Sequence, residues 1–248
     1  MKKIYLLFIF IGLVAFACMP SDRAVLTGSV DSYKGEGHLI FIANMPEGQQ
    51  RDTLTVQADG KFEYSTSFEK PVVVYLLLEY LNNDATIVNV YMANGKKNKV
   101  TITSSTNEAG RIITDAEYAG DYKLESEYLQ TYFNLLFKAN PDLNLETVAT
   151  FENFKEYQAY AKEKMEPLHS KLNQVRNAEF KASNIEKLNT DDLSVAFRYA
   201  WSRRLIDEPM DADADFVAFV QSIDLNNPAN LQITDMVIRW HLEVNKNT

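Results

Sequence analysis

Residues 53–65 read Thr53-Leu54-Thr55-Val56-Gln57-Ala58-Asp59-Gly60-Lys61-Phe62-Glu63-Tyr64-Ser65, and this stretch decides the first half of the fold. Leu54 and Val56 alternate with Thr53, Thr55 and Gln57; Phe62 and Tyr64 alternate with Lys61, Glu63 and Ser65. A period of two puts one set of side chains on one face of a strand, so each run reads as a half-buried strand. Asp59-Gly60 supplies the turn chemistry between them, and the expectation is a β-hairpin. Working outward, residues 24–30, 37–43, 71–80, 87–92 and 99–103 are β-rich, and Asn94-Gly95 opens a further turn. Residues 72–78 are apolar at both parities, as a strand covered on both faces would be, which places them centrally. Residues 114–120 serve as a closing strand or linker. About seven strands then form an antiparallel β-sandwich over residues 24–120.

All nine glycines lie at or before Gly120. Glycine serves turns and bulges, so the glycine-free remainder points to helices. Leu124, Tyr128, Tyr132, Leu135 and Leu136 recur at helical spacing until Asn140-Pro141 stops the pattern. Thr150 is the expected cap of a second helix carrying Phe151, Phe154, Ala161, Met165, Leu168, Leu172 and Val175, with a kink at Pro167. Thr190 is the expected cap of a third, on which Val195, Tyr199 and Ser202 share a stripe; residues 216–223 and 231–244 add two more. The fold class is therefore α+β, with an all-helical layer or bundle over residues 121–248.

The compartment is read from the first residues. Lys2 and Lys3 precede a mostly apolar run over residues 4–17, and Ala15 and Ala17 stand where a signal peptidase reads small side chains. Fourteen helical residues rise only about 21 Å, short of a ~30 Å hydrocarbon core, so residues 1–17 read as a signal peptide. Ala15-Phe16-Ala17-Cys18 resembles a bacterial lipoprotein box, although leucine is usual where Ala15 stands and a small residue where Phe16 stands. The resemblance implies that Cys18 is the lipidation site. Residues 18–23 would then be a lipidated linker, tying the protein to a membrane of the bacterial cell envelope on its periplasmic or outer surface.

Composition narrows the function. The formal charge is −9, and loss of Lys2 and Lys3 with the signal would make the mature chain more acidic. Nucleic-acid binders need a basic surface to displace counterions from phosphates, so nucleic acid is not an expected partner. Cys18 is the only cysteine, which excludes within this sequence an internal disulfide, a Cys-x-x-Cys pair and a cysteine-rich metal site.

A lipoprotein signal, a DGKFEYS-type hairpin (Asp59 to Ser65), the following PVVVYLLL (Pro71 to Leu78) and a tyrosine-rich helical stretch resemble the amino-terminal portion of TlpA-like, thioredoxin-family periplasmic lipoproteins. The β part is similar to the domain of unknown function that precedes the catalytic domain there. The resemblance implies a missing or separately encoded thioredoxin domain as partner. It carries no catalytic residue onto this chain.

Candidate sites are few. Asp211, Asp213 and Asp215 have the alternate spacing of a calcium loop, but Phe216 and Ser222 stand where glycine and a bidentate glutamate belong, and acids before a helix stabilise its positive end. His38, His169 and His241 have no second ligand at metal spacing, and Trp240-His241-x-Glu243 is at most an acid/base pair on one helix end. Tyr75, Tyr80 and Tyr91 are candidates for a stacking platform, or for ordinary packing on strands. Asp52-Thr53-Leu54 resembles a short bacterial O-glycosylation signal. Neither a Gly-x-Ser-x-Gly elbow nor a glycine-rich phosphate loop occurs. The expectation is a non-enzymatic envelope lipoprotein, without cofactor or metal, that binds or scaffolds envelope proteins. The alternative is the non-catalytic front part of a thiol-disulfide oxidoreductase.

Overall fold

The computed structural model describes residues 22–31, 38–79, 85–106, 112–137, 140–206, 213–224, 226–227 and 238. Eight strands form two four-stranded sheets: β1 (Ala24–Val30), β2 (His38–Met45), β3 (Gly48–Leu54), β4 (Lys61–Thr66), β5 (Val72–Glu79), β6 (Ala85–Met92), β7 (Lys97–Thr106) and β8 (Ile112–Gly120). The sheet orders are β4-β1-β7-β8 and β3-β2-β5-β6. One face of each packs into a shared core, where Leu26, Phe62, Val100 and Ile102 from the first sheet meet Phe41, Val74, Leu76, Val88 and Val90 from the second.

The expected hairpin at residues 53–65 is corrected. The turn exists: Gly60 has φ 82°, its N–H donates to Gln57 O at 2.8 Å, and Gln57 N–H donates to Lys61 O at 2.7 Å. The flanking strands do not pair with each other. β3 pairs with β2, and β4 pairs with β1 in the opposite sheet, so the chain turns a corner from one layer to the other. Leu54 and Phe62 both reach the core, as their alternation requires, because alternation specifies a face and not a neighbour. The described residues form eight strands, residues 112–120 being a full strand, and β1 runs parallel to β7 in an otherwise antiparallel pattern. β5 lies between β2 and β6. Its Val74, Leu76 and Leu78 are buried in the core, whereas Val73, Tyr75 and Leu77 on the other face are half-buried, so its two faces are covered unequally.

Side chains engage parts of the sheet edges. On edge strand β6, Tyr91 N–H donates to Ser126 Oγ at 3.0 Å and Tyr91 O accepts from Asn98 Nδ2 at 3.2 Å. Asn98 Oδ1 also accepts from Tyr122 N–H at 3.1 Å, so one buried amide ties β6, β7 and the start of the next helix. Engaging both backbone groups of Tyr91 in this way hinders pairing with a foreign strand at that point of the edge. At the opposite side, edge strands β3 and β4 are stitched by Gln50, Asp52, Tyr64 and Thr66. Gln50 Nε2 donates to Asp52 Oδ2 at 2.8 Å and to Tyr64 OH at 3.0 Å, and Tyr64 OH donates to Asp52. Burial and the Asp52 carboxylate push the Tyr64 phenol up to about 12.

The remaining elements are helical: α1 (Lys123–Tyr132), a π-helical turn (Phe133–Phe137), a 3-10 turn (Pro141–Leu143), α2 (Leu145–Val148), α3 (Phe154–Gln174), α4 (Ala178–Leu205) and α5 (Ala214–Ser222). Contacts divide the chain into two units between Ser126 and Glu127, inside α1. Two expected caps are corrected. Asn153, not Thr150, caps α3, its Oδ1 accepting from Glu156 N–H at 3.0 Å, while Thr150 Oγ1 donates to Thr147 O. α4 begins twelve residues before Thr190, capped by Asn177, and Thr190 lies inside it with its hydroxyl donating to Glu186 O. α3 continues through Pro167 as one element. The core of the helical unit is aromatic: Phe154, Tyr157, Phe197, Tyr199 and Phe216 are each 2% exposed or less, with Phe154 and Phe216 edge to face at 5.2 Å.

Candidate functional site

α3 carries side chains of opposite character on two faces. Phe154, Tyr157, Ala161, Met165, Leu168 and Leu172 are buried, while Lys155, Gln158, Ala159, Lys162, Glu166, His169 and Asn173 follow one another at helical spacing along an adjoining stripe. That stripe borders a groove of ≈ 840 Å³ whose other walls come from α4 (Asp192, Leu193, Val195, Ala196) and α5 (Phe219). Ala161, Met165, Leu193, Val195, Ala196 and Phe219 make it apolar. A second hollow of ≈ 380 Å³ adjoins it, sharing Lys155, Gln158 and Phe219 and bordered by Asp215. Small residues at Ala159 and Ala196 leave the space open.

The polar groups at the two ends differ. Lys155 at one end and Lys162 midway along the stripe are exposed, and neither has an ion-pair or hydrogen-bond partner among the described residues. At the other end His169 Nε2 lies 2.9 Å from Asp192 Oδ2 and 3.2 Å from Oδ1. The adjacent Asp191 accepts from Tyr132 OH at 2.6 Å, and Lys187 Nζ sits 4.2 Å from the centroid of the Tyr132 ring. Burial raises both carboxyls above the ordinary carboxylate range, against the hydrogen bonds from Tyr132 and His169 that favour charge. Two consecutive acids in mid-helix thus bind α4 to α1 and to α3. The Tyr128 hydroxyl is fully buried without a hydrogen-bond partner among the described residues, and burial, reinforced by Asp191 and Asp192, holds its phenol far above the usual range.

The residues singled out from sequence are dispersed. His169 lines the groove, His38 is an exposed residue at the start of β2, and His241, Trp240 and Glu243 lie outside the described residues, as does Cys18. Asp213 caps α5: its Oδ1 accepts from Phe216 N–H at 3.0 Å, and its Oδ2 accepts from Phe154 N–H at 2.7 Å and Tyr199 OH at 2.7 Å. Burial opposes its charge, but these donors outweigh it and hold the carboxyl below the ordinary range. Its oxygens therefore serve helix capping, Asp211 lies outside the described residues, and no group of three or more potential metal ligands occurs among the described residues. An exposed platform of Tyr75, Tyr80 and Tyr91 is corrected. Tyr91 is 8% exposed with Tyr122 edge-on at 5.0 Å, Tyr75 is half-buried, and Tyr80 lies outside the described residues. Thr53 is exposed on edge strand β3, while Asp52 is occupied in the seam with Tyr64. The groove residues of α3 were recognised in the sequence only through the buried stripe beside them. Their own signal is the charged stripe at three- and four-residue spacing from Lys155 to Asn173, which resembles any solvated helix face.

The β unit is similar to a family described as Domain of unknown function (DUF4369), whose model matches residues 24–126. No curated protein matches the chain. No helix among the described residues is long and apolar enough to cross a membrane.

Proposed function

We propose that the chain is a cell-envelope lipoprotein, tethered through Cys18, that acts as a non-enzymatic binding module and takes its ligand in the groove beside α3. The observation that carries the binding role is the groove itself: an apolar lining bordered by polar groups at both ends is the usual construction of a ligand site. The tether is supported by the basic start, the short apolar run and the small residues before Cys18. Metabolic labelling of the full chain with an alkynyl fatty acid tests the tether, with label expected on the wild type and lost in Cys18→Ser. A photo-crosslinking amino acid at Ala159 tests the groove in whole cells. Adducts there, absent when the same group replaces exposed Glu63 of β4, support the reading, and identical patterns at both positions overturn it.

A second reading is favoured by the order of parts. The DGKFEYS and PVVVYLLL stretches within the matched β unit resemble the front portion of TlpA-like thioredoxin-family lipoproteins, so the chain would act with a separately encoded thioredoxin domain. An open frame beside this gene encoding a Cys-x-x-Cys thioredoxin domain supports it; unrelated flanking sequence removes it.

A further inference from the structure

The groove beside α3 is asymmetric in a way that names a ligand class, on the reading that it is a binding site. Lys155 and Lys162 are seven residues apart on one face, about 10 Å along the axis at ~1.5 Å per residue, and flank Gln158 and Ala159. Both ammonium groups lack a partner among the described residues, in a chain of net charge −9 with acids to spare. From Ala159 the apolar lining continues past Met165, Leu193 and Val195 and stops at the His169–Asp192 pair. Ten residues separate Ala159 from His169, about 15 Å, which matches an extended medium-length alkyl chain. From α5 Asp215 borders the adjoining hollow beside Lys155; on α3 Glu166 stands one turn beyond Lys162, and Asp192 pairs with His169.

We propose that this groove binds a single-chain anionic amphiphile, its carboxylate between Lys155 and Lys162 and its tail laid along Met165, Leu193 and Val195 toward His169. Lys155 at the mouth of the apolar trough and Lys162 two turns further in, both without a partner among the described residues, complement a negative head followed by a hydrocarbon tail. A neutral chain would satisfy only the trough, and a cationic one would be repelled.

The test uses the full chain carrying Cys18→Ser, titrated calorimetrically with dodecanoate below its micelle concentration. Saturable one-to-one binding is expected, weakened about tenfold in Lys155→Gln/Lys162→Gln, restored in Lys155→Arg/Lys162→Arg, and lost when Ala159→Trp fills the trough. Dodecyltrimethylammonium should bind at least tenfold more weakly than dodecanoate. Absence of saturation by dodecanoate, equal binding of the cationic analogue, or insensitivity to both the lysine and the Ala159 variants would overturn the proposal. If dodecanoate fails while the Ala159 crosslinker still captures a protein specifically, the ligand class is wrong and the binding role stands. If both fail, the groove is not a binding site.

Discussion

Replacing Asp213 with alanine removes one carboxylate that serves three helices at once. Phe216 N–H loses its cap at the start of α5, Phe154 N–H loses its acceptor at the start of α3, and the Tyr199 hydroxyl on α4 loses its partner. A lost N-cap costs about 1 kcal/mol. Each further donor left without an acceptor costs roughly 1–3 kcal/mol, toward the low end here because Asp213 is only half-buried and water can reach the gap. The sum is about 3 kcal/mol, or roughly 12 °C in the midpoint of a domain of slightly more than 100 residues. Far-ultraviolet circular dichroism during thermal and urea unfolding measures it. The pH dependence supplies a second check with a definite sign. Because the folded carboxyl lies below its unfolded value, its stabilisation is complete above the unfolded range near ~3.9 and disappears as pH falls through the folded value. The difference between wild type and Asp213→Ala should therefore be full at pH 7 and narrow as pH falls through the folded value. The Tyr199 phenol, held up to about 12 by burial and then by Asp213, should titrate lower in the variant. A loss under about 0.5 kcal/mol at pH 7 would refute the assignment of Asp213 as the joint of the three helices.

Tyr128→Phe removes a buried hydroxyl that has no partner among the described residues and keeps the ring edge-on to Phe180, so stability should be unchanged or rise by up to about 1 kcal/mol in urea titrations; a loss above 1 kcal/mol would show that the hydroxyl is used. Gly28→Ala on β1 would place a methyl 2.4 Å from Val100 O and 2.5 Å from the Phe62 ring, and should cost about 3 kcal/mol or more, read from the urea midpoint and the yield of soluble protein. Asn98→Ala strips partners from Tyr91 O and Tyr122 N–H at a site 4% exposed and should cost about 3 kcal/mol, with near-ultraviolet dichroism of the Tyr91–Tyr122 pair as the local readout. The His169–Asp192 pair is about one-third exposed on each side, so a double-mutant cycle with His169→Gln and Asp192→Asn should return a coupling of no more than about 1 kcal/mol.

Much of the candidate site was hidden in the sequence for physical reasons. The groove needs three helix faces to converge, and residues such as Lys155, Asp192 and Phe219 share no local pattern. Asn189-Thr190-Asp191-Asp192 reads as a helix boundary because short polar side chains compete for backbone hydrogen bonds. In the fold these residues are interior to α4, where Tyr132 and His169 engage the two acids. Asn153 and Asn177 cap their helices by the same side-chain chemistry that made Thr150 and Thr190 plausible, and only the packed positions of α3 and α4 distinguish them.

By itself the sequence determined strands followed by helices, because a period of two and a period near 3.6 are properties of single segments meeting one apolar surface. Where apolar and polar residues alternate it also determined which face turns inward: Leu54 and Phe62 are core residues as their spacing requires. Partnership was decided by the tertiary structure alone. That β3 joins β2 while β4 crosses to β1, that β1 lies parallel to β7, and that the residues beside Lys155 form a groove all depend on which surfaces meet when the elements pack together. Burial energy is almost indifferent to the identity of the neighbour so long as water is excluded, so pairing is settled by the joint packing of all the elements.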